Sequence, residues 1–190
     1  MRQISLALTF IVCSLSYSIS SWAHEIHNSK EVNMCLTFEK VYDIDFKNQD
    51  YQIDFWCALT VLKKKYFDFR NQLQVVDSKK TEIIMVDSVA SHDTIKLLLK
   101  FNCKIFHKWD IRGFPFDGQS LTVTIYNAAL DTSKITFAPD DHGVHHKNKV
   151  ELENGWEPHK YSIATHGIIM LPMNESKRYP CVTFSIDIDR

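Results

Sequence analysis

The chain has 190 residues, with 22 lysines and arginines against 23 aspartates and glutamates and a formal net charge of −1. Charges of both signs are interspersed, which excludes the basic footprint of a nucleic-acid binder; the compact run Lys63-Lys64-Lys65 is too short to make one. Five glycines and five prolines leave little room for a low-complexity linker, so a single domain is expected.

Met1 to Ala23 carries Arg2, an apolar run from Ile4 to Val12 and a small-x-small ending at Ser21-Trp22-Ala23. This is the pattern of a secretory signal peptide cleaved after Ala23, too short and too polar behind for a spanning helix. Residues 24–190 are therefore expected to be exported, periplasmic or extracellular, with no further run long enough to cross a membrane as a helix.

From Val32 to Phe46 the even positions are mostly apolar and the odd ones mostly polar, which predicts a long strand with one buried face. Lys47-Asn48-Gln49-Asp50 is the turn, and Tyr51, Ile53, Phe55, Cys57, Leu59 and Val61 then take the apolar phase of a second strand. Between Lys63 and Thr94 the pattern weakens, and two short strands are expected around Leu73–Val76 and Ile83–Val86. Alternation returns over Ile95–Ile105 and again over Leu121–Tyr126, predicting two half-buried strands.

Between those strands lies Asp110-Ile111-Arg112-Gly113-Phe114-Pro115-Phe116-Asp117-Gly118-Gln119. Pro115 fixes its own φ and restricts Phe114, while Gly113 and Gly118 relax the backbone on either side, so a compact turn is expected. Further on, His142, His145 and His146 follow Asp140 and Asp141 at spacings compatible with Zn²⁺ or with titration near neutral pH; an exposed polar loop that merely collects histidine is the plainer alternative. Trp156 follows Asn154-Gly155, and Tyr179-Pro180-Cys181 opens a last alternating strand through Val182, Phe184, Ile186 and Ile188 to Arg190.

Asp110, Arg112, Phe114, Pro115, Phe116, Asp117 and Gln119 resemble the signature loop of the pentameric ligand-gated (Cys-loop) ion channels, and Trp156 and Arg190 also fall on positions of that family. The resemblance covers nearly all of residues 24–190, the span of a neurotransmitter-gated ion-channel-type ligand-binding domain, and ends where the first membrane helix would begin. It implies an all-β fold, an antiparallel immunoglobulin-like β-sandwich of about ten strands. It also implies a ring of five copies, a small-molecule or proton ligand, and a coupling loop whose Phe114-Pro115-Phe116 tip rests on a membrane surface or a separate membrane subunit. Arg190 matches an arginine at the membrane surface and Tyr179 a tyrosine of the capping binding loop.

The departures are informative. Loop-closing cysteines would fall near His107 and Leu121, so the loop is similar to that of the prokaryotic branch. The family's other binding aromatics would fall near Val61 and Ala129, and its vicinal cysteines within Met173–Arg178, so an acetylcholine-like ligand is not expected. The family's strand order would put Cys57 and Cys103 on neighbouring strands as a disulfide pair, with free buried thiols as the alternative. No Gly-x-Ser-x-Gly, His-Glu-x-x-His or phosphate loop occurs, so neither an enzyme nor a cofactor is expected. A metal- or proton-responsive module built on His142–His146 is the competing function.

Overall fold

In a computed structural model of the chain, the residues described are 31–63, 68–112, 118–144, 150–153, 155–168 and 177–190. Met1–Ala23, the segment expected to be a signal peptide, and Phe114, Pro115, Phe116, Asp117, His145 and His146 lie outside them. The strands are β1 (Glu31–Asp45), β2 (Asp50–Leu62), β3 (Leu73–Val75), β4 (Ser78–Ala90), β5 (Thr94–Phe106), β6 (Gln119–Asn127), β7 (Thr136–Val144), β8 (Glu151–Leu152), β9 (Glu157–Ile168) and β10 (Tyr179–Asp189), with one helical turn, α1 (Phe69–Gln72). They form two sheets packed as a sandwich, as expected. One sheet runs β4-β5-β2-β1-β7 with β8 also on β1, and the other runs β3-β6-β10-β9. All pairings are antiparallel except those of β7 and β8 with β1.

The alternating residues set the core. Tyr51, Ile53, Phe55, Cys57 and Leu59 of β2 are fully buried, as are Val182, Phe184, Ile186 and Ile188 of β10. Phe38 of β1 joins the two sheets, its ring 6.3 Å from Phe55 and 6.4 Å from Phe184, both edge-on. Phe55 in turn stacks on Phe101 of β5 at 4.8 Å. Edge-on and offset aromatic pairs of this kind add to the burial of their area.

Three details differ from the sequence expectation. The even phase of β1 holds only to Phe38; a bulge between Phe38 and Lys40 flips the strand, so Val41 enters the core while Lys40 and Tyr42 turn outward. β4 is far longer than the run around Ile83–Val86 suggests, because it is an edge strand whose residues are nearly all exposed and so carry no burial alternation. Ile84, Met85, Val86 and Val89 remain largely in contact with solvent along it. Finally, Thr136–Val144 is not a polar loop but a strand parallel to β1.

The expected disulfide is also corrected. Cys57 and Cys103 do lie on the neighbouring strands β2 and β5, but Cys57 faces Leu99 and Cys103 faces Ile53. Four residues of offset amount to about 13 Å along a strand, well beyond the reach of a disulfide. Among the described residues Cys35, Cys57, Cys103 and Cys181 are buried and in no disulfide, and burial pushes their thiols up where a shift is seen, that of Cys181 to about 11.

Two outcomes follow for stability. Phe101→Ala should cost about 3–5 kcal/mol in urea unfolding, since it removes a fully buried ring from the stack. Alkylation after unfolding without reductant, read by peptide mass mapping, should label Cys35, Cys57, Cys103 and Cys181 alike; an unlabelled pair would contradict the register of β2 and β5.

Candidate functional site at the loop end

Segments far apart in sequence converge at one end of the sandwich. The phase of β5 continues past its last pairing, through Ile105 to His107 and Trp109, and this carries the chain inward before it reaches the loop. Trp109 is 9% exposed, packs 4.8 Å from Phe46 of the β1–β2 turn, and donates its indole N–H to Asp45 O at 3.1 Å. The His107 N–H meets Gln49 O at 2.9 Å. The loop is thereby fixed to the β1–β2 turn.

That turn is itself pinned from below. Asp50 is 1% exposed, and its carboxylate takes Lys79 Nζ at 2.6 Å and Lys104 Nζ at 3.3 Å. Lys79 also donates to Asn48 O at 2.9 Å. A carboxylate buried this deeply is tolerable only when charge-paired, so β2, β4 and β5 must keep their relative positions for the turn to hold its shape.

The base of the loop is closed by a side-chain amide. Gln119 Oε1 accepts the Asp110 N–H at 3.2 Å, and Gln119 Nε2 donates to Asp110 O at 2.5 Å, which reproduces with one side chain the two bonds of a strand pair. Gln119 thus closes the base of the loop. Next to it, Gly118 sits so close to the end of β10 that a Cβ would meet Asp189 Oδ1 at 2.7 Å. A larger residue here would push the Asp189 carboxylate aside, so the loop base and the end of β10 lie in direct contact.

At those last residues, the Arg190 guanidinium lies 5.3 Å over the Trp156 ring, and His159 Nε2 lies 3.2 Å from Asp189 Oδ2. Of the coupling-loop residues expected from the sequence, the structure describes Asp110, Arg112, Gln119 and Arg190, and it brings Asp110, Gln119 and the Asp189–Arg190 terminus into one contiguous region. Asp110 and Arg112 form an exposed forked pair. Hydrogen bonds from Arg112 hold the Asp110 carboxyl down at about 2, so this pair stays charged at any physiological pH.

His107 behaves differently. It is half-buried among Trp109 at 4.5 Å, Tyr51 at 5.8 Å and the Gln119 side chain, which hydrogen-bonds the ring. Its Nε2 is buried with no partner. Burial pulls its pKa below the ordinary 6.5, and Gln119 only partly offsets this.

Tyr179 lies elsewhere. Tyr179 is 8% exposed, and it packs with Tyr126, Cys181, Val76 and Ala128 on the outer side of the smaller sheet. The space around Tyr179 is filled by this packing. Trp56 is half-buried with Lys100 Nζ 5.2 Å over its ring. Among the described residues no group of three metal-ligating side chains forms, and His142, the one described histidine of its cluster, contributes a backbone position in β7.

Neither a scan against protein-family models nor a search of curated proteins finds a match to this chain.

The His107 environment fixes the sign of a pH effect. A histidine whose folded-state pKa is depressed binds its proton more readily in the unfolded chain, so its contribution to stability is intact above about 6.5 and is lost as pH falls toward the folded-state value. The melting temperature of the protein should therefore fall more steeply on acidification below about pH 6.5 than that of His107→Gln. Parallel profiles would remove His107 as the acid-labile element. Gln119→Leu should cost about 1–3 kcal/mol, because the Asp110 N–H loses its acceptor.

Proposed function

We propose that residues 24–190 form an exported ligand-binding domain of the pentameric ligand-gated channel type, which carries a binding or protonation event to the loop end of the sandwich. The observation behind this reading is the convergence of the signature-like loop base, the β1–β2 turn and Arg190 at one end of the fold. A domain that transmits strain to a membrane partner needs its movable contacts gathered on one surface, and here each is tied to the next by a named bond or a steric contact. On this reading the Phe114-Pro115-Phe116 tip faces a membrane surface or a separate membrane subunit. Five copies assemble head to tail, since closure by rotation is the usual outcome of a heterologous interface. Where no membrane partner is present, the same domain acts as a secreted binding protein.

The chemistry of the input is constrained as well. Tyr179 and Tyr126 are packed against Cys181, so an aromatic cage for a quaternary amine is closed at that position. The Asp110–Arg112 pair is ionised throughout the physiological range and supports the loop's shape rather than sensing pH. His107 is the group at the loop base whose charge changes in an accessible range: burial opposes its proton, and the Gln119 side chain beside it favours it.

A chimaera joining Arg190 to the membrane domain of a pentameric channel tests the reading. It should form five-fold particles in lipid and pass a current on acidification, with the current shifted along the pH axis by His107→Gln. Correctly inserted pentamers that stay silent across the pH range, or a fusion that never assembles beyond a monomer, would overturn it.

A further inference from the structure

We infer that β4 is a self-association edge: a second copy of this chain lays its own β4 antiparallel against it, across a two-fold axis at Ile83, and the two larger sheets become one. The inference does not rest on the channel reading, because a contact of this isologous kind closes at two copies.

β4 stands at the end of the β4-β5-β2-β1-β7 order, so over its 13 residues the backbone side away from β5 has no strand partner among the described residues. Six large apolar side chains are exposed among those residues, and four of them, Ile84, Met85, Val86 and Val89, belong to this one strand. Scattered apolar exposure is ordinary, whereas a row of it on an open edge is a template for another strand. The strand has no proline, and no charge interrupts Ile83–Val86. Its two bulges, at Ser78/Lys80 and Met85/Asp87, flank the regular run Lys80–Met85 rather than break it.

Charge selects the occupant and the register. Thr81, Ile83 and Met85 stand opposite the buried Cys103, Phe101 and Leu99 of β5 and so point inward, while Lys80, Glu82, Ile84 and Asp87 stand opposite Lys104, Asn102, Lys100 and Leu98 and point outward. A two-fold axis normal to the sheet leaves each side chain on its own face, so it must pass through one residue paired with its own copy. Centred on Glu82, the pairing sets Glu82 against Glu82; centred on Ile84, it sets Glu82 against Asp87 twice. Centred on Ile83, with Val86 bulged out, it sets Lys80 against Asp87 twice, Glu82 against Ile84 and Thr81 against Met85. Opposite charges directly across a strand pair favour a register and like charges oppose it. The two Glu82 carboxylates then approach only on the diagonal, each beside Lys80 of its own strand. Among the described residues neither Lys80 nor Asp87 is in an ion pair. Asp87 Oδ1 accepts the Ser88 N–H at 2.7 Å, and Oδ2 is the oxygen that meets the lysine of the other copy. On the inner face, Met85 of the second copy reaches the mouth of a cleft of about 440 Å³ between β3 and β4, whose apolar wall is Leu73, Val75 and Ile83.

Sedimentation velocity of the protein between about 1 and 200 µM should show monomer passing to dimer, since a contact one strand deep stays below the about 800 Å² per partner of a standard interface. Ile83→Cys, opposite itself at a Cα distance of about 4.5–5.5 Å, should give a disulfide-linked dimer on mild oxidation. Val89→Cys, far from the axis, and the parent should not. Lys80→Glu and Asp87→Lys should each weaken association about tenfold, and the two changes together should restore it. Circular dichroism checks that each variant is folded. A monomer at every concentration, charge reversals without effect or without rescue, or no Ile83→Cys dimer would overturn the inference. A ring of five in which Ile83→Cys stays unlinked would do so while leaving the channel reading intact.

Discussion

A single phenol spans the two sheets at the end where the chain's distant segments meet. Tyr51 belongs to β2 and is fully buried, and its hydroxyl donates to Thr122 O of β6 at 2.9 Å. Its ring forms one wall of the His107 and Trp109 packing. The bond ties the two sheets together beside the loop base, and burial drives the phenol's pKa upward, so it stays a neutral donor. Trp109, the Gln119 clasp and the β1–β2 turn all rest on that spacing. With Phe in place of Tyr51 the Thr122 carbonyl would lose this bond between the sheets, and the cost would fall on the loop end rather than on the aromatic stack around Phe38.

Much of the fold was legible because burial on one face writes a two-residue period into the chain. β2, β5, β6 and β10 carry that period cleanly, and each forms where the alternation predicts. Where only part of a strand faces the core, the signal fails. β4 carries apolar residues at an exposed edge, and β7 contains proline, glycine and carboxylates that read as a loop yet pairs with β1 through its backbone. The bulge after Phe38 illustrates a further limit. One extra residue reverses the facing of the side chains that follow it until the second irregularity between Tyr42 and Asp45, and nothing in the local composition distinguishes Val41 from Tyr42 as the inward one.

The candidate site was legible in its residue types but not in its connections. Asp110, Arg112, Gln119, Trp156 and Arg190 stand out as a pattern, while the role of Gln119 as a clasp becomes visible only when the backbone of Asp110 is placed beside it. His107 and Trp109 left a trace, since they continue the phase of β5 beyond Ile105. The burial of Asp50 left none: an aspartate next to a turn is ordinarily solvated, and its partners Lys79 and Lys104 come from strands whose register with β2 has to be known first. The cysteines show the same limit in reverse, because adjacency of strands was correct and four residues of offset decided the chemistry.

The two parallel pairings bear on the order in which the domain can be made. β1 is the first strand among the described residues, yet it is complete only when β7 and β8 lie alongside it, with Glu31 next to Thr136 and Lys40 next to Glu151. A chain emerging from its N-terminus can zip β1 to β2 and β2 to β5 early. The other edge of β1 must then wait, unpaired, through the synthesis of most of the domain. Contacts of such long sequence separation are slow to form, and an open strand edge is a site for pairing with another chain in the meantime.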